Sequence, residues 1–173
     1  MKTVAAWVNT VANDNLKLNS WLSRQYVGEV LASRRIEELA AVVQDKFKRV
    51  IKKIAADEAK HAEWVLGLLN ARKIPLPAID YKQDRYWKAV LTGKENIEEV
   101  LGIGAHAEEM RLHRIKAIAL DSRFDADIRE VFSKILPDEE FHALAFAAAA
   151  GKIALKTTQK KHNAGLKALG LVL

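Results

Sequence analysis

Glu58 and His61 stand three residues apart in Ile54-Ala55-Ala56-Asp57-Glu58-Ala59-Lys60-His61-Ala62-Glu63-Trp64, a stretch of helical composition. On a helix that spacing puts both side chains on one face. A carboxylate and an imidazole so placed can grip one divalent metal ion. Glu139 and His142 repeat the spacing in Ile135-Leu136-Pro137-Asp138-Glu139-Glu140-Phe141-His142. With 13 Glu and 5 His in 173 residues, random placement gives about 0.4 copies of Glu-x-x-His. One copy would mean little, whereas two suit a pair of ions.

The context argues for a duplicated helical hairpin. A shift of 81 aligns Val50 with Val131, Lys53 with Lys134, Ile54 with Ile135, Asp57 with Asp138, Glu58 with Glu139 and His61 with His142. A shift of 79 aligns Glu29 with Glu108, Arg35 with Arg114, Ile36 with Ile115 and Ala40 with Ala119. Each half therefore carries one inward Glu followed by one Glu-x-x-His. The second half offers two adjacent acids, Glu108 and Glu109, which point about 100° apart on a helix, so one of them faces the site. The repeat favours Glu108; the distance to Glu139 leaves Glu109 as the alternative.

Four helices must position these groups. Apolar residues at three- and four-residue steps predict the first helix from about Leu16 to Val43, with Asn13-Asp14-Asn15 as its start; residues 1 to about 16 carry no clear signal. Asp45 can cap a second helix running to about Ala71, and so short a join makes the two antiparallel neighbours. From Lys73 to about Gly93, Pro75 and Pro77 bar a continuous helix. This segment reads as a connection along the bundle with a short helix near Arg85 to Leu91. A third helix is expected from about Glu95 to Leu120, and a fourth from beyond Asp125 past Ala150. Pro137 predicts a kink one turn before Glu139. The small residues from Ala143 to Gly151 allow close packing by another helix or by a second subunit.

At 173 residues the chain fits one domain, 1–173, with the bundle core at about 17–150 and a basic C-terminal tail at about 152–173. It has no cysteine, which excludes a thiolate iron centre, an iron–sulfur cluster and a catalytic thiol within it. Met1 to Val8 mimic the start of a signal peptide, but Asn9 and Thr10 break the apolar run and no cleavage site follows; the reading is cytoplasmic. No run of 18 apolar residues exists, so no membrane span is expected. The formal charge of +6 is partly a property of the tail, where Lys152, Lys156, Lys160, Lys161 and Lys167 have no acidic neighbours. This favours a solvated tail over contact with nucleic acid.

Four carboxylates and two imidazoles suit two divalent first-row ions, whose charge makes such a core tolerable. The choice between iron, manganese and a mixed pair is not written in the ligands. The ordered set Glu29, Glu58-x-x-His61, Glu108, Glu139-x-x-His142 resembles the ferritin-like superfamily of dimetal carboxylate proteins, which includes bacterioferritin and rubrerythrin, over roughly residues 17–150. The resemblance implies an all-α fold: an antiparallel four-helix bundle with a long crossover between helices two and three. It also implies that Glu58 and Glu139 bridge the ions, Glu29 and Glu108 are terminal ligands, and His61 and His142 bind one ion each. Rubrerythrins carry a further Glu three residues after the ligand of helix three, where this chain has Arg111 or Leu112. Gly28-Glu29-Val30 followed by Arg35-Ile36 is similar to the first helix of demethoxyubiquinone hydroxylases.

What the resemblance implies for function is an oxidoreductase using dioxygen or hydrogen peroxide, with an electron donor the sequence does not name and a homo-oligomeric assembly, dimer or larger. A hydroxylase of an apolar or quinone-like substrate, a non-catalytic iron store, a basic helical adaptor and a core that has lost its ions are the alternatives. Among other residues, Tyr26 lies one turn before Glu29, placed either to serve a ligand or carry an oxidising equivalent, or simply to pack. Trp64 reads as core. Asp57 and Asp138 are placed to orient the histidine of the opposite hairpin. His106, His113 and His162 read as surface residues.

Overall fold

The computed structural model describes residues 3–171. Among them the elements are α1 (Val4–Ala12), α2 (Asn15–Val42), α3 (Asp45–Ala71), a single 3-10 turn (Tyr81–Gln83), α4 (Arg85–Val90), α5 (Ile97–Leu120) and α6 (Ala126–Leu169). The four predicted long helices are α2, α3, α5 and α6. Asp14 starts α2 by accepting the amide of Lys17 at 3.1 Å. Asn96 and Glu99 start α5 with a reciprocal capping box, which satisfies two amides that would otherwise lack partners. At α3 the expected cap is corrected: Gln44 holds the cap position without a side-chain bond, and Asp45 is the first helical residue, where its charge still favours the helix N-terminus.

Two apolar clusters fix the direction of each helix. One contains Leu22, Val65, Ile115 and Ile135; the other contains Ile36, Ile54, Ala105 and Phe146. Along α2 and α6 the chain passes from the first cluster to the second, and along α3 and α5 it passes back. Thus α2 pairs antiparallel with α3 and α5 antiparallel with α6. The crossover carries the chain back along the bundle, so α3 and α5 run the same way. This is the all-α, ferritin-like bundle that the resemblance implies. Glu29, Glu58, Glu108 and Glu139 fall between the two clusters, in a polar layer closed above and below by aliphatic side chains.

The first residues also differ from the unclear reading. Among those described, α1 packs Val8 and Val11 into the first cluster, and Trp7 meets Trp21 edge-on at 5.4 Å.

The C-terminal segment departs most from expectation. Helical dihedrals run through Pro137, and the backbone break lies at Gly151, with φ 76° and ψ 163°, a left-handed conformation that favours glycine. Beyond it, residues 152–169 are not a free solvated tail: Ala154, Thr158, His162 and Leu166 are buried. Leu166 packs with Tyr86, Val90, Ile103 and Met110. Gly165 permits this docking, because a Cβ there would fall on the Tyr86 ring and 2.8 Å from Val90 Cγ1. The lysines occupy the outward face of an amphipathic helix, whose buried stripe a charge count does not register. Met1, Lys2, Val172 and Leu173 lie outside the described residues.

Candidate metal centre

The helical spacing places Glu29 on α2, Glu58 and His61 on α3, Glu108 on α5, and Glu139 and His142 on α6, all of them buried. Their donor atoms form two overlapping groups. Glu29, Glu58, His61 and Glu139 make one; Glu58, Glu108, Glu139 and His142 make the other; within each, the ligating atoms lie within 4.8 Å of one another. Glu108 is the member of the adjacent pair that faces inward, and Glu109 is exposed. Glu58 and Glu139 belong to both groups, so they are the two carboxylates in position to be shared.

Each imidazole is held from the opposite half of the repeat. His61 Nε2 lies 3.2 Å from Asp138 Oδ2, and His142 Nε2 lies 3.2 Å from Asp57 Oδ2. A carboxylate accepts, so each Nε2 donates, and each Nδ1 is turned toward the glutamates, where it can bind a cation when it carries no proton. Burial lowers the His61 pKa, which keeps that ring neutral. At His142 burial works in the same sense, but Glu58 and Asp57 outweigh it and raise the value.

The donor set fits a pair of cations. Both Glu58 oxygens, His61 Nδ1, Glu108 Oε2, Glu139 Oε2 and His142 Nδ1 are buried without a hydrogen-bond partner. Six such atoms in one layer are costly unless something positive binds them. Burial raises the Glu29 pKa to about 7 and pushes Glu139 well above the usual carboxylate range. For Glu58 burial acts upward too, but Arg111 and His142 hold its pKa below the ordinary value.

Arg111 is the site residue that sequence reasoning missed. Its Nη2 bonds Glu29 Oε2 and Glu139 Oε1 at 3.0 Å, and stands 3.0 Å from Glu58 Oε2 without the alignment of a hydrogen bond. The signal was present: Arg111 follows Glu108 by three residues and so shares its helical face. Gln25 is a second such residue, donating from Nε2 to Glu29 Oε1 at 2.6 Å. Tyr26, by contrast, is half-buried and packs against the first apolar cluster; among the described residues its hydroxyl makes no hydrogen bond to a site carboxylate. Trp64 packs on the same cluster and stacks on His61 at 5.8 Å.

The surface assignment of His106 and His162 is overturned, while His113 is exposed. His106 and His162 are buried and stack at 4.9 Å. Burial raises the Tyr86 phenol and pushes His162 down to about 4. The neutral phenol and Nδ1 of a neutral His162 share a hydrogen bond of 2.8 Å. Both histidines were misread because the helical segment that carries His162 and covers His106 was taken for a tail.

A cavity of about 170 Å³ adjoins the polar layer, lined by Ala32, Ile36, Val100, Met110 and Phe146 and reaching Glu108 and Arg111. Its outer wall is tied down by Arg35, which bonds Asp84 at 2.8 Å and lies 4.2 Å over the Trp87 ring.

Among the described residues no helix is long and apolar enough to cross a membrane. No curated protein and no solved structure gives a significant match. A family profile described as Rubrerythrin matches residues 21–150, a span that includes all six donors. Membership implies a dimetal centre, usually of iron. On that match, and with the carboxylate and histidine layer that such a centre requires, the chain belongs to the rubrerythrin family.

Proposed function

We propose that this protein is a dimetal-carboxylate oxidoreductase that activates dioxygen or peroxide in the bundle core. The observation that carries the reading is the pair of overlapping four-donor groups, buried and supplied with six unpartnered atoms. Two bound iron or manganese ions would supply the electron-transfer chemistry that reduces the oxidant. Glu58 and Glu139, common to both donor groups, would serve both ions, Glu29 and Glu108 would each hold one, and His61 and His142 would each offer Nδ1 to one. Asp138 and Asp57 keep the Nε2 proton on each ring and so keep Nδ1 free to bind. The two apolar clusters exclude water from the layer, which strengthens every charge interaction within it. Anaerobic loading with Fe(II), followed by mixing with oxygen or peroxide, tests the reading through the absorbance of the bound iron. A site that responds to neither oxidant overturns it.

The cavity beside Glu108 favours a second reading, hydroxylation of a small apolar substrate. Peroxide reduction needs only solvent access, whereas a hydroxylase needs an apolar pocket at the metals. At about 170 Å³ the space is comparable to the roughly 150 Å³ that accepts benzene in an engineered core, so one ring is the size limit. Substrate-dependent consumption of oxygen separates the two. A homo-oligomer fits the outward face of α6, where Leu144 and Ile153 are exposed. A solution mass of a monomer or dimer with no more than two ions per chain eliminates storage as the role.

A further inference from the structure

We infer that Arg111 is a built-in competitor for one of the two metal positions, so that the site fills in two unequal steps. This rests on reading the six donors as a two-ion site. The carboxylates that Arg111 engages are Glu29, Glu58 and Glu139, which are all the carboxylates of the group containing His61. The donors private to the other group are Glu108 and His142. Neither has a hydrogen bond or ion pair to Arg111 among the described residues.

Charge counting gives the order. With all four buried carboxylates ionised, as ligands to bound ions must be, they carry −4, and the guanidinium brings the layer to −3. One dication leaves −1, and a second overshoots to +1 while the guanidinium stays. The first ion therefore takes Glu108, His142 and the shared Glu58 and Glu139 with the arginine in place. The second, between Glu29 and His61, must displace a cation already bonded to its ligands. The molecule has room for that displacement. Arg111 lines the cavity described above, together with Asp84 and Gln25, so the guanidinium can withdraw toward a carboxylate that already receives Arg35. The two halves of the repeat, equivalent in the donors they supply, are made unequal by one side chain.

The test is titration of the full chain, stripped with chelator, with Mn(II), followed by calorimetry and by the spin-resonance signal of free Mn(II). The wild type takes up one ion tightly and a second at least about tenfold more weakly, the gap expected when a bonded buried cation must leave. Arg111→Leu, or Arg111→Gln should the leucine variant not fold, closes that gap by tightening the second ion. His61→Ala keeps the tight ion and His142→Ala loses it. Equal affinities in the wild type, a gap that persists without the guanidinium, or a tight ion that depends on His61 instead of His142 overturns the inference. Failure of the wild type to bind Mn(II) at all removes the two-ion reading itself.

Discussion

Removing Arg111 should destabilise the metal-free protein far more than the loaded one. Among the described residues, and in the absence of metal, Arg111 is the one arginine or lysine paired with the buried site carboxylates, touching Glu29, Glu58 and Glu139. Taking away one partner of a buried, hydrogen-bonded charge pair costs about 3–5 kcal/mol, because the remaining charge stays desolvated. For a chain of this size each kcal/mol moves the midpoint by about 2–4 °C, so Arg111→Leu should lower the metal-free melting temperature by about 6–20 °C. With two dications in the layer the carboxylates keep their counter-charge, and the loss should fall below about 1 kcal/mol. The metal-free penalty also depends on pH in a definite sense. Burial raises Glu29 to about 7 and Glu139 well above its ordinary value, so the folded state holds protons that the unfolded chain releases. Stability therefore falls as pH rises from the unfolded carboxylate range through neutrality. The penalty for losing Arg111 should accordingly be larger at pH 8 than at pH 5. The assay is calorimetric melting of chelated and Mn(II)-loaded wild type and variant at both pH values. An equal drop with and without metal, or a metal-free protein indifferent to the substitution, would refute the argument.

Three further outcomes are expected. Because His162 is buried with its pKa pushed down to about 4, the unfolded chain binds the proton first, and stability is lost as pH falls from about 6.5 toward 4. Denaturant titration at pH 7 and 4.5 should show wild type losing about 2–3 kcal/mol more than His162→Asn, and parallel pH slopes would contradict this. Gly165→Ala drives a methyl onto Tyr86 and Val90 and should lower stability by about 1–3 kcal/mol in thermal melts; no change would mean that the C-terminal helix is not docked as described. Asp57→Ala or Asp138→Ala removes the acceptor that fixes a histidine ring and should weaken metal affinity by about 10–100-fold in competitive titration, whereas unaltered affinity would show that the rings orient themselves.

The sequence by itself determined the parts of this protein that follow from local periodicity. Glu58 and His61 share a face because a helix turns every 3.6 residues, and the repeat that aligns them with Glu139 and His142 also aligns Asp57 with Asp138. The crossing of those aspartates to the opposite histidines was legible for the same reason, as was the crossover around Pro75 and Pro77. What only the tertiary structure decided is what lies beside these groups. Spacing puts Arg111 on the same helical face as Glu108, but which groups of the other helices it meets there, Glu29 among them, is set by how the helices pack. Nor does composition reveal that the lysine-rich segment after Gly151 docks along Tyr86 and Val90. Lysines dominate the count, while burial depends on the sparse stripe of Ala154, Thr158, His162 and Leu166. Which carboxylate of the Glu108 and Glu109 pair faces inward rests on rotation about a helix axis, and packing against the other three helices sets that rotation.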